Sequence, residues 1–432
     1  MRVLASELHK CEGHEVVIAG WLHRRRQHRK MTFAIVRDRT GLAQALTFDP
    51  AVMDQLAKIP EETVVEITGM VTANEQAPGG LELTDIVVRT LSDPAAVPPL
   101  EIFKPEVTAS LPVILDNAPI ALRHPRIKAP FTIAAASVAG FRNALDNLGF
   151  TEIFTPKIVS SATESGANVF KIHYYGRPAF LAQSPQFYKQ IMVGVFERVY
   201  ETGPVFRAEP HDTARHLAEY TSLDAELGYI NDHHDVMAVL RDVIAAMTAA
   251  VRNRAVGALE LLKAELPVVP DQIPEIHFVE AQEMIAEHTD EDPRGEPDLA
   301  PAHERWLCEW AARKYGSNFL FVTGYPAAKR PFYTHPDPER PGYTNGFDLL
   351  FRGQELVTGG QRLHRYSDYV AAVEARGESV EKYETYLQAF AHGMPPHGGF
   401  AIGLERWIAR LVGAENIRAV TLFPRDLHRV EP

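Results

Sequence analysis

Several short segments of this 432-residue chain hold polar residues at spacings suited to chemistry on a phosphate or a carboxylate. The first runs Phe206-Arg207-Ala208-Glu209, then an irregular stretch to Arg215-His216-Leu217, then Glu219-Tyr220 and Leu223-Asp224-Ala225-Glu226. Apolar, β-type runs flank the polar loop. A hairpin would set Arg207 on one strand and Asp224 and Glu226 on the other, with opposite charges facing one cleft. The guanidinium is suited to binding a phosphate through two parallel hydrogen bonds. An ordinary surface hairpin with ion pairs would also produce this pattern.

Three further segments follow the same logic. Gly403-Leu404-Glu405-Arg406 comes after Pro395-Pro396-His397-Gly398-Gly399-Phe400. A glycine-lined strand running into a helix lets a ligand ring approach the backbone, and Arg406 could lie over that ring. A tight turn with a solvated arginine reads identically. Glu355-Leu356-Val357-Thr358-Gly359-Gly360-Gln361-Arg362 offers a carboxylate and a hydroxyl, hard ligands suited to Mg²⁺; a β-bulge with an exposed glutamate is the plainer account. Gln183-Ser184-Pro185-Gln186-Phe187-Tyr188-Lys189-Gln190 opens a helix at Pro185. Gln186 and Lys189 then share one helical face, where the lysine could read a small carboxylate or simply be exposed.

The elements that must position these residues fall into two regions. Residues 1–91 read as five short β-branched strands with one helical piece, Met53–Lys58, which suggests a small OB-type barrel. Residues 92–112 hold five prolines and no helical period, so a linker is expected there. Residues 113–432 read as a larger α+β unit with helices expected at 130–147, 185–196, 233–265, 277–288, 301–315, 367–376, 379–391 and 403–413. Strands are expected at 151–159, 178–182, 198–207, 221–230, 317–323, 345–351, 354–358 and 398–402. They come in neighbouring pairs, which favours an antiparallel sheet over a doubly wound parallel one. Residues 233–316 look like a mostly helical inserted support.

Composition narrows the class. Apolar residues make up 46% and charged residues 23%, a globular balance. No apolar run is long enough for a membrane span, and MRVLASELHK lacks a signal-peptide layout. Two distant cysteines, Cys11 and Cys308, make neither a disulfide framework nor a zinc site, so a reducing cytoplasm is expected. The net charge of −12 means that any nucleic-acid contact needs a local basic patch, and residues 23–30, HRRRQHRK, supply one.

Taken in order, FRAE…RH…LDAE and GLER resemble motifs 2 and 3 of class II aminoacyl-tRNA synthetases. Helix 130–147 followed by Thr155-Pro156-Lys157 resembles their motif 1, which builds a homodimer interface. QSPQFYKQ is similar to the aspartyl subgroup. The resemblance covers nearly the whole chain, since an N-terminal OB barrel that binds the anticodon also belongs to that subgroup. It implies ATP-dependent activation of aspartate and its transfer to tRNA, with Mg²⁺ as cofactor.

The resemblance also implies roles. Arg207 and Arg406 are the expected catalytic cations. Arg207 would hold the α-phosphate and the substrate carboxylate, Glu209 would face the adenine amino group, and Arg215 and His216 would touch the γ-phosphate. Leu217, Gly403, Leu404 and Glu405 complete the expected ATP site, with Tyr220 and Arg406 sandwiching adenine. Glu355 and Thr358, with Glu226 nearby, would bind Mg²⁺. Lys189 and Arg362 would grip the aspartate side chain with Asp224 holding them, while Gln186 and Glu164 meet the α-ammonium group and Thr358 borders the same pocket. The family's loop around Glu164 moves over the amino acid.

At the tRNA end, Phe33 would stack on an anticodon base and Gln44 would bond the central uracil. Glu82 joins these expected anticodon contacts, and Arg24, Arg25 and Arg26 would meet phosphates. Phe33 as a core residue and the arginines as a solvated edge are live alternatives. The chain resembles the short archaeal-type form. His28 and Pro78 suggest relaxed reading of the last anticodon base, so that both tRNA-Asp and tRNA-Asn are charged and an amidotransferase acts downstream. The rivals are a discriminating aspartyl enzyme, an asparaginyl enzyme, an asparagine synthetase on the same catalytic domain and a synthetase-like regulator. Lys189 argues against the second, the basic barrel against the third, and the intact Arg207, Arg406, Glu355 and Thr358 against the last.

Overall fold

The computed structural model describes residues 2–160, 168–208, 210 and 212–431. Two compact units divide at residues 124 and 125. In the first, β1 (Glu15–Gln27), β2 (Thr32–Arg37), β3 (Leu42–Thr47), β4 (Val64–Ala73) and β5 (Leu81–Thr90) close into a barrel in the order β1-β2-β3-β5-β4. Closure depends on β1 serving two neighbours. Its first half pairs with β4, its second half with β2, and the register shifts between Leu22 and Arg24, as a strand must when it turns a barrel corner. Gly20 sits at that bend because a Cβ there would lie 2.2 Å from the Arg37 carbonyl oxygen. Alternate residues such as Val65, Ile67 and Val71 fill the interior. The expected helical piece is the helix Pro50–Ala57, capped by Asp49, which accepts the Ala51 N–H at 2.8 Å. Residues 91–110 carry neither helix nor strand and group with the barrel unit.

The second unit is built on an eight-stranded sheet. Its strands are β6 (Thr151–Glu152), β10 (Arg198–Phe206), β11 (Glu219–Gly228), β12 (Glu275–His277), β13 (Phe319–Thr323), β14 (Gly346–Phe351), β15 (Gln354–Gln361) and β16 (His397–Gly403). The order is β12-β13-β14-β15-β16-β11-β10-β6, antiparallel through the centre and parallel only at its two edge pairs. A small sheet joins β7 (Ile158–Val159), β8 (Lys171–Tyr174) and β9 (Arg177–Leu181). The run expected as one strand over 151–159 therefore splits into β6 and β7 in different sheets, and Pro156, which cannot donate to a ladder, lies between them.

One face of the large sheet is covered and the other is left for chemistry. On β11, Leu223, Ala225 and Leu227 point into the main core, while Ser222, Asp224 and Glu226 alternate to the opposite face. Val357 on β15 and Phe400 and Ile402 on β16 repeat the apolar side. The helices Pro125–Asn147, His233–Arg254 and Leu404–Val412 pack on that side. Trp407 is fully buried there and donates its indole N–H to Ser137 at 3.0 Å. The two long helices cross at Gly140, where a Cβ would lie 2.8 Å from the Met247 Cα. Residues 233–316, expected as a mostly helical inserted support, are mostly helical. They give the core a helix, which ends at Arg254 rather than running on to 265, and they give the sheet its edge strand β12.

Candidate active site

The polar face of the sheet opens into two cavities that share Arg207, Tyr220, Ser222, Glu355, Thr358 and Ala401. The first, about 770 Å³, adds Arg215, His216, Leu217, Gly403, Glu405 and Arg406. Arg207 sits where the hairpin opens just beyond β10, its N–H bonded to the Ala218 carbonyl at 2.9 Å, and its guanidinium carbon lies 5.7 Å from the Tyr220 ring centre. Arg406 enters from the first turn of helix Leu404–Val412 and donates to the Glu355 carbonyl at 3.2 Å. The His216 Nδ1 lies 2.7 Å from the Thr213 hydroxyl. Glu405 accepts the Thr221 N–H at 3.1 Å, and burial pushes its carboxyl up to about 7. Three cations and an aromatic ring around a cleft of this size suit a nucleotide phosphate chain and its base.

Glu355 and Thr358 stand on the boundary between the cavities, the Thr358 hydroxyl donating to the Glu355 carboxylate at 3.1 Å. Burial works to raise the Glu355 pKa, but Arg406, Arg330, the Thr358 hydroxyl and Arg207 outweigh it and hold the group below the ordinary glutamate value. An ionised carboxylate beside a hydroxyl on an open cleft fits a hard divalent cation. Asp348 lies opposite Thr358 in the β14–β15 ladder and pairs with Arg330 at 2.8 Å. Burial pushes its carboxyl up to about 6. The sequence reading missed Asp348, although a lone carboxylate in the apolar run Gly346-Phe347-Asp348-Leu349-Leu350-Phe351 was the available signal.

The second cavity, about 900 Å³, gathers Gln186, Lys189, Asp224, Arg330, Tyr333 and Arg362. Helix Gln186–Phe196 delivers Lys189, which is 1% exposed. Its ammonium lies 3.0 Å from Asp224 and 3.3 Å from Glu226 and donates to the Phe400 carbonyl at 3.3 Å. Arg362 donates to Glu226 at 3.0 Å and to the Gly399 carbonyl at 3.1 Å. Burial alone would raise the Glu226 pKa, yet Arg362 and Lys189 hold it below the usual range. The amide nitrogen of Gln186 is buried with no hydrogen-bond partner among the described residues, a donor suited to a ligand. Two buried cations lining one cavity, each matched to an acidic partner, are of a kind suited to a small carboxylate.

Some expectations need correction. Glu226 does not line the cleft with Glu355 and Thr358. Its carboxylate is fully buried beneath Lys189 and Arg362, where it anchors the cations of the second cavity. Leu404 lines neither of these cavities, because its side chain belongs to the main core. Glu164 and Glu209 lie outside the described residues.

On the barrel, Arg26 pairs across the ladder with Phe33, which is half-buried and carries the His28 ring edge-on at 5.9 Å. Gln44 donates to Glu82 at 2.8 Å across the β3–β5 pair, and Pro78 opens a single 3₁₀ turn before β5. Arg26 and His28 are exposed. Arg25, expected as a phosphate contact, is half-buried. It donates to the carbonyls of Leu56 at 2.5 Å and Ile59 at 2.9 Å. The Arg24 guanidinium carbon lies 5.2 Å from the centre of the Phe103 ring.

Residues 111–427 match the family of class II tRNA synthetases (D, K and N), and residues 16–87 match the OB-fold nucleic acid binding domain. The chain is 45% identical over 433 residues to the Aspartate--tRNA(Asp/Asn) ligase of Thermus thermophilus, covering 100% of each. It is 44% identical to the protein of the same name from Deinococcus radiodurans, covering 100% of this chain and 99% of that one. Among solved structures it is similar to the asparaginyl-tRNA synthetase of Pyrococcus horikoshii complexed with asparaginyl-adenylate (TM-score 0.92, 29% identity, 100% of both chains). It is also similar to a putative aspartyl-tRNA synthetase from Leishmania major (TM-score 0.90, 26% identity, 100% of this chain and 95% of that one). Among the described residues no helix is long and apolar enough to cross a membrane.

Proposed function

The chain belongs to the class II tRNA synthetases of the D, K and N group, and we propose that within this family it joins L-aspartate to tRNA at the expense of ATP. The α-carboxylate of aspartate attacks the α-phosphorus, pyrophosphate leaves, and aspartyl-adenylate forms. A hydroxyl of the terminal ribose then attacks the acyl carbon and AMP leaves. Neither step needs a protein nucleophile. Both need positioning and cations to take up developing charge. Arg207, common to the two cavities, serves the α-phosphate and the substrate carboxylate. Arg215 and His216 serve the far end of the triphosphate, and Tyr220 and Arg406 hold the adenine. Glu355 and Thr358 would hold Mg²⁺, which supplies charge neutralisation to the phosphate oxygens.

The observation that carries the choice of amino acid is Lys189, buried between Asp224 and Glu226 and beside Arg362. A carboxylate side chain answers these cations, whereas an amide would leave the ammonium poorly matched in a dry pocket. An asparaginyl enzyme, favoured by the likeness to the Pyrococcus horikoshii structure, is the second reading, and Lys189 weighs against it.

Dual charging of tRNA-Asp and tRNA-Asn is part of the proposal. It is supported by the names of the relatives at 45% and 44% identity and by His28 and Pro78 on the barrel. Arg26, Phe33, Gln44 and Glu82 complete the proposed anticodon face. An amidotransferase would then convert Asp-tRNA-Asn. A homodimer is proposed with it, since Phe154 is 79% exposed immediately before Thr155-Pro156-Lys157, the end of motif 1. A cytoplasmic location follows from the same reading.

The test is aspartate charging of tRNA-Asp and tRNA-Asn transcripts by the purified protein with ATP and Mg²⁺. Comparable charging of both supports the whole proposal. Charging of tRNA-Asp alone keeps the aspartate reading and removes dual recognition. Charging with asparagine in place of aspartate puts the second reading in its place.

A further inference from the structure

Behind the second cavity lies a group of buried polar side chains to which the proposed reaction gives no task. His397, the first residue of β16, is 0% exposed, and Gln190, the residue after Lys189, is also 0% exposed. The imidazole Nδ1 lies 2.9 Å from the Pro395 carbonyl, and Nε2 lies 3.0 Å from the Gln190 amide nitrogen. The same amide nitrogen donates to the Tyr369 hydroxyl at 3.0 Å. The Gln190 amide oxygen accepts from Tyr386 at 2.9 Å, and the two tyrosine hydroxyls lie 3.0 Å apart.

These contacts fix the imidazole tautomer. A carbonyl only accepts, so Nδ1 carries the imidazole proton and Nε2 presents its lone pair. The Gln190 amide gives one hydrogen to Nε2 and the other to Tyr369. The single hydroxyl hydrogen of Tyr386 is within reach of two acceptors, the Gln190 oxygen and the Tyr369 hydroxyl. The four side chains thus close a ring of contacts, and a buried polar network of this kind stiffens its surroundings. Burial pushes the imidazole down to about 4 against the pull of Glu226, so the uncharged form needed for this arrangement prevails at neutral pH.

The ring connects to both cations of the carboxylate receptor. Gln190 is covalently next to Lys189. The His397 carbonyl accepts the Arg362 backbone N–H at 2.9 Å. Two and three residues along the same strand, the Gly399 carbonyl accepts from the Arg362 side chain and the Phe400 carbonyl from Lys189. We propose that His397 is a positioning residue for the amino-acid pocket, acting through Gln190, Tyr369 and Tyr386 to hold Lys189 and Arg362 at the spacing a carboxylate side chain requires. Among the described residues the ring's hydrogen bonds reach none of the side chains lining the nucleotide cleft, so its influence falls on the amino acid rather than on ATP.

This proposal rests on the reading of the second cavity as the aspartate site. The test is aspartate-dependent pyrophosphate exchange by the full chain, with KM measured separately for aspartate and ATP. His397→Asn keeps a polar atom near Pro395 and loses the partner of Gln190. His397→Gln reaches the position of Nε2 with an oxygen that can accept. The expected result for His397→Asn is a KM for aspartate raised about ten-fold, the scale of one to two lost buried hydrogen bonds, with KM for ATP changed less than about two-fold. His397→Gln should recover most of the loss. Tyr386→Phe, which removes a single oxygen from the far side of the ring, should move KM for aspartate in the same direction by a smaller factor, and it decides the matter alone if His397→Asn does not fold. Parallel rises in both KM values, or no change in either, would overturn the proposal. Exchange by the unaltered chain tests the aspartate reading itself, and only the ratio of variant to unaltered chain tests His397, so the two failures are distinct.

Discussion

Arg215 is held by Glu304, its guanidinium 2.7 Å from the carboxylate Oε2, and that same oxygen accepts the Glu355 backbone N–H at 3.2 Å. One buried carboxylate thus ties a cation of the motif 2 loop to the strand that carries Glu355 and Thr358. Burial raises the Glu304 pKa and Glu355 adds to it, while Arg215 works against both. Replacing Glu304 by Ala frees Arg215 to swing and removes the link to β15. The expected outcome is a KM for ATP raised about ten-fold, equivalent to roughly 1.4 kcal/mol. Pyrophosphate exchange with ATP varied at saturating aspartate reads it, and an effect confined to aspartate would contradict it.

Lys189→Leu should act on the other substrate. The substitution keeps bulk but leaves Asp224 and Glu226 facing each other with half their counter-charge gone. Breaking a buried pair from one side costs about 3–5 kcal/mol, so aspartate activation should fall by at least about a hundred-fold. Near-normal exchange in this variant would remove the basis for choosing aspartate.

How far the site could be read from residues alone depends on how local its chemistry is. Arg207, Tyr220, Glu355, Thr358 and Arg406 stand in short runs whose strand or turn context is visible nearby, and the structure brings them to one cleft. Lys189 and Arg362 were readable as cations, but their spacing depends on four elements meeting: a helix, the end of β15, β11 and β16. Glu226 shows the limit. Alternation along β11 places it on the polar face with Asp224, yet which cation it meets is set by the neighbouring strand, where Gly399 leaves the room that a Cβ would take from its Oε2 at 2.0 Å. Glu304 lies in an unremarkable segment, His397 in a run notable only for its glycines, and both acquire partners through long-range packing. The fold follows the same rule. The barrel strands show period-two patterning, whereas β6, β12 and the parallel edge pairs are too short to leave a period.

Stability should fall as the solution is acidified below about pH 6.5. Burial lowers the pKa of both His23 and His397 from 6.5 to about 4. A depressed folded-state pKa means that the unfolded chain binds the extra protons, so the contribution is complete above 6.5 and is lost on the way down through 4. Glu405 works in the opposite sense. Its pKa is raised to about 7, so its contribution is complete below the unfolded value of 4.5 and is lost as pH rises through 7. Urea melts of the unaltered chain at pH 7, 6 and 5 should show decreasing midpoints. Glu405→Gln removes the opposing group and should steepen the decline by up to about 1.4 kcal/mol per pH unit. A shallower decline in the variant would mean that Glu405 is ionised in the folded chain across this range.

The last prediction separates the barrel from the chemistry. Phe33 is half-buried on β2, faces Arg26 across the ladder and carries the edge of His28. A ring in this position is partly committed to the barrel and partly available to a base. Stacking on an unpaired base contributes about 1–3 kcal/mol, so Phe33→Ala should raise KM for tRNA by roughly five- to a hundred-fold in the charging assay. Pyrophosphate exchange without tRNA should stay within about two-fold of the unaltered chain, because Phe33 belongs to the barrel and is not among the residues lining the two cavities. The comparison also decides between the two accounts of this residue. A core role would lower the melting temperature with little change in KM for tRNA, whereas a stacking role changes KM for tRNA at nearly constant melting temperature.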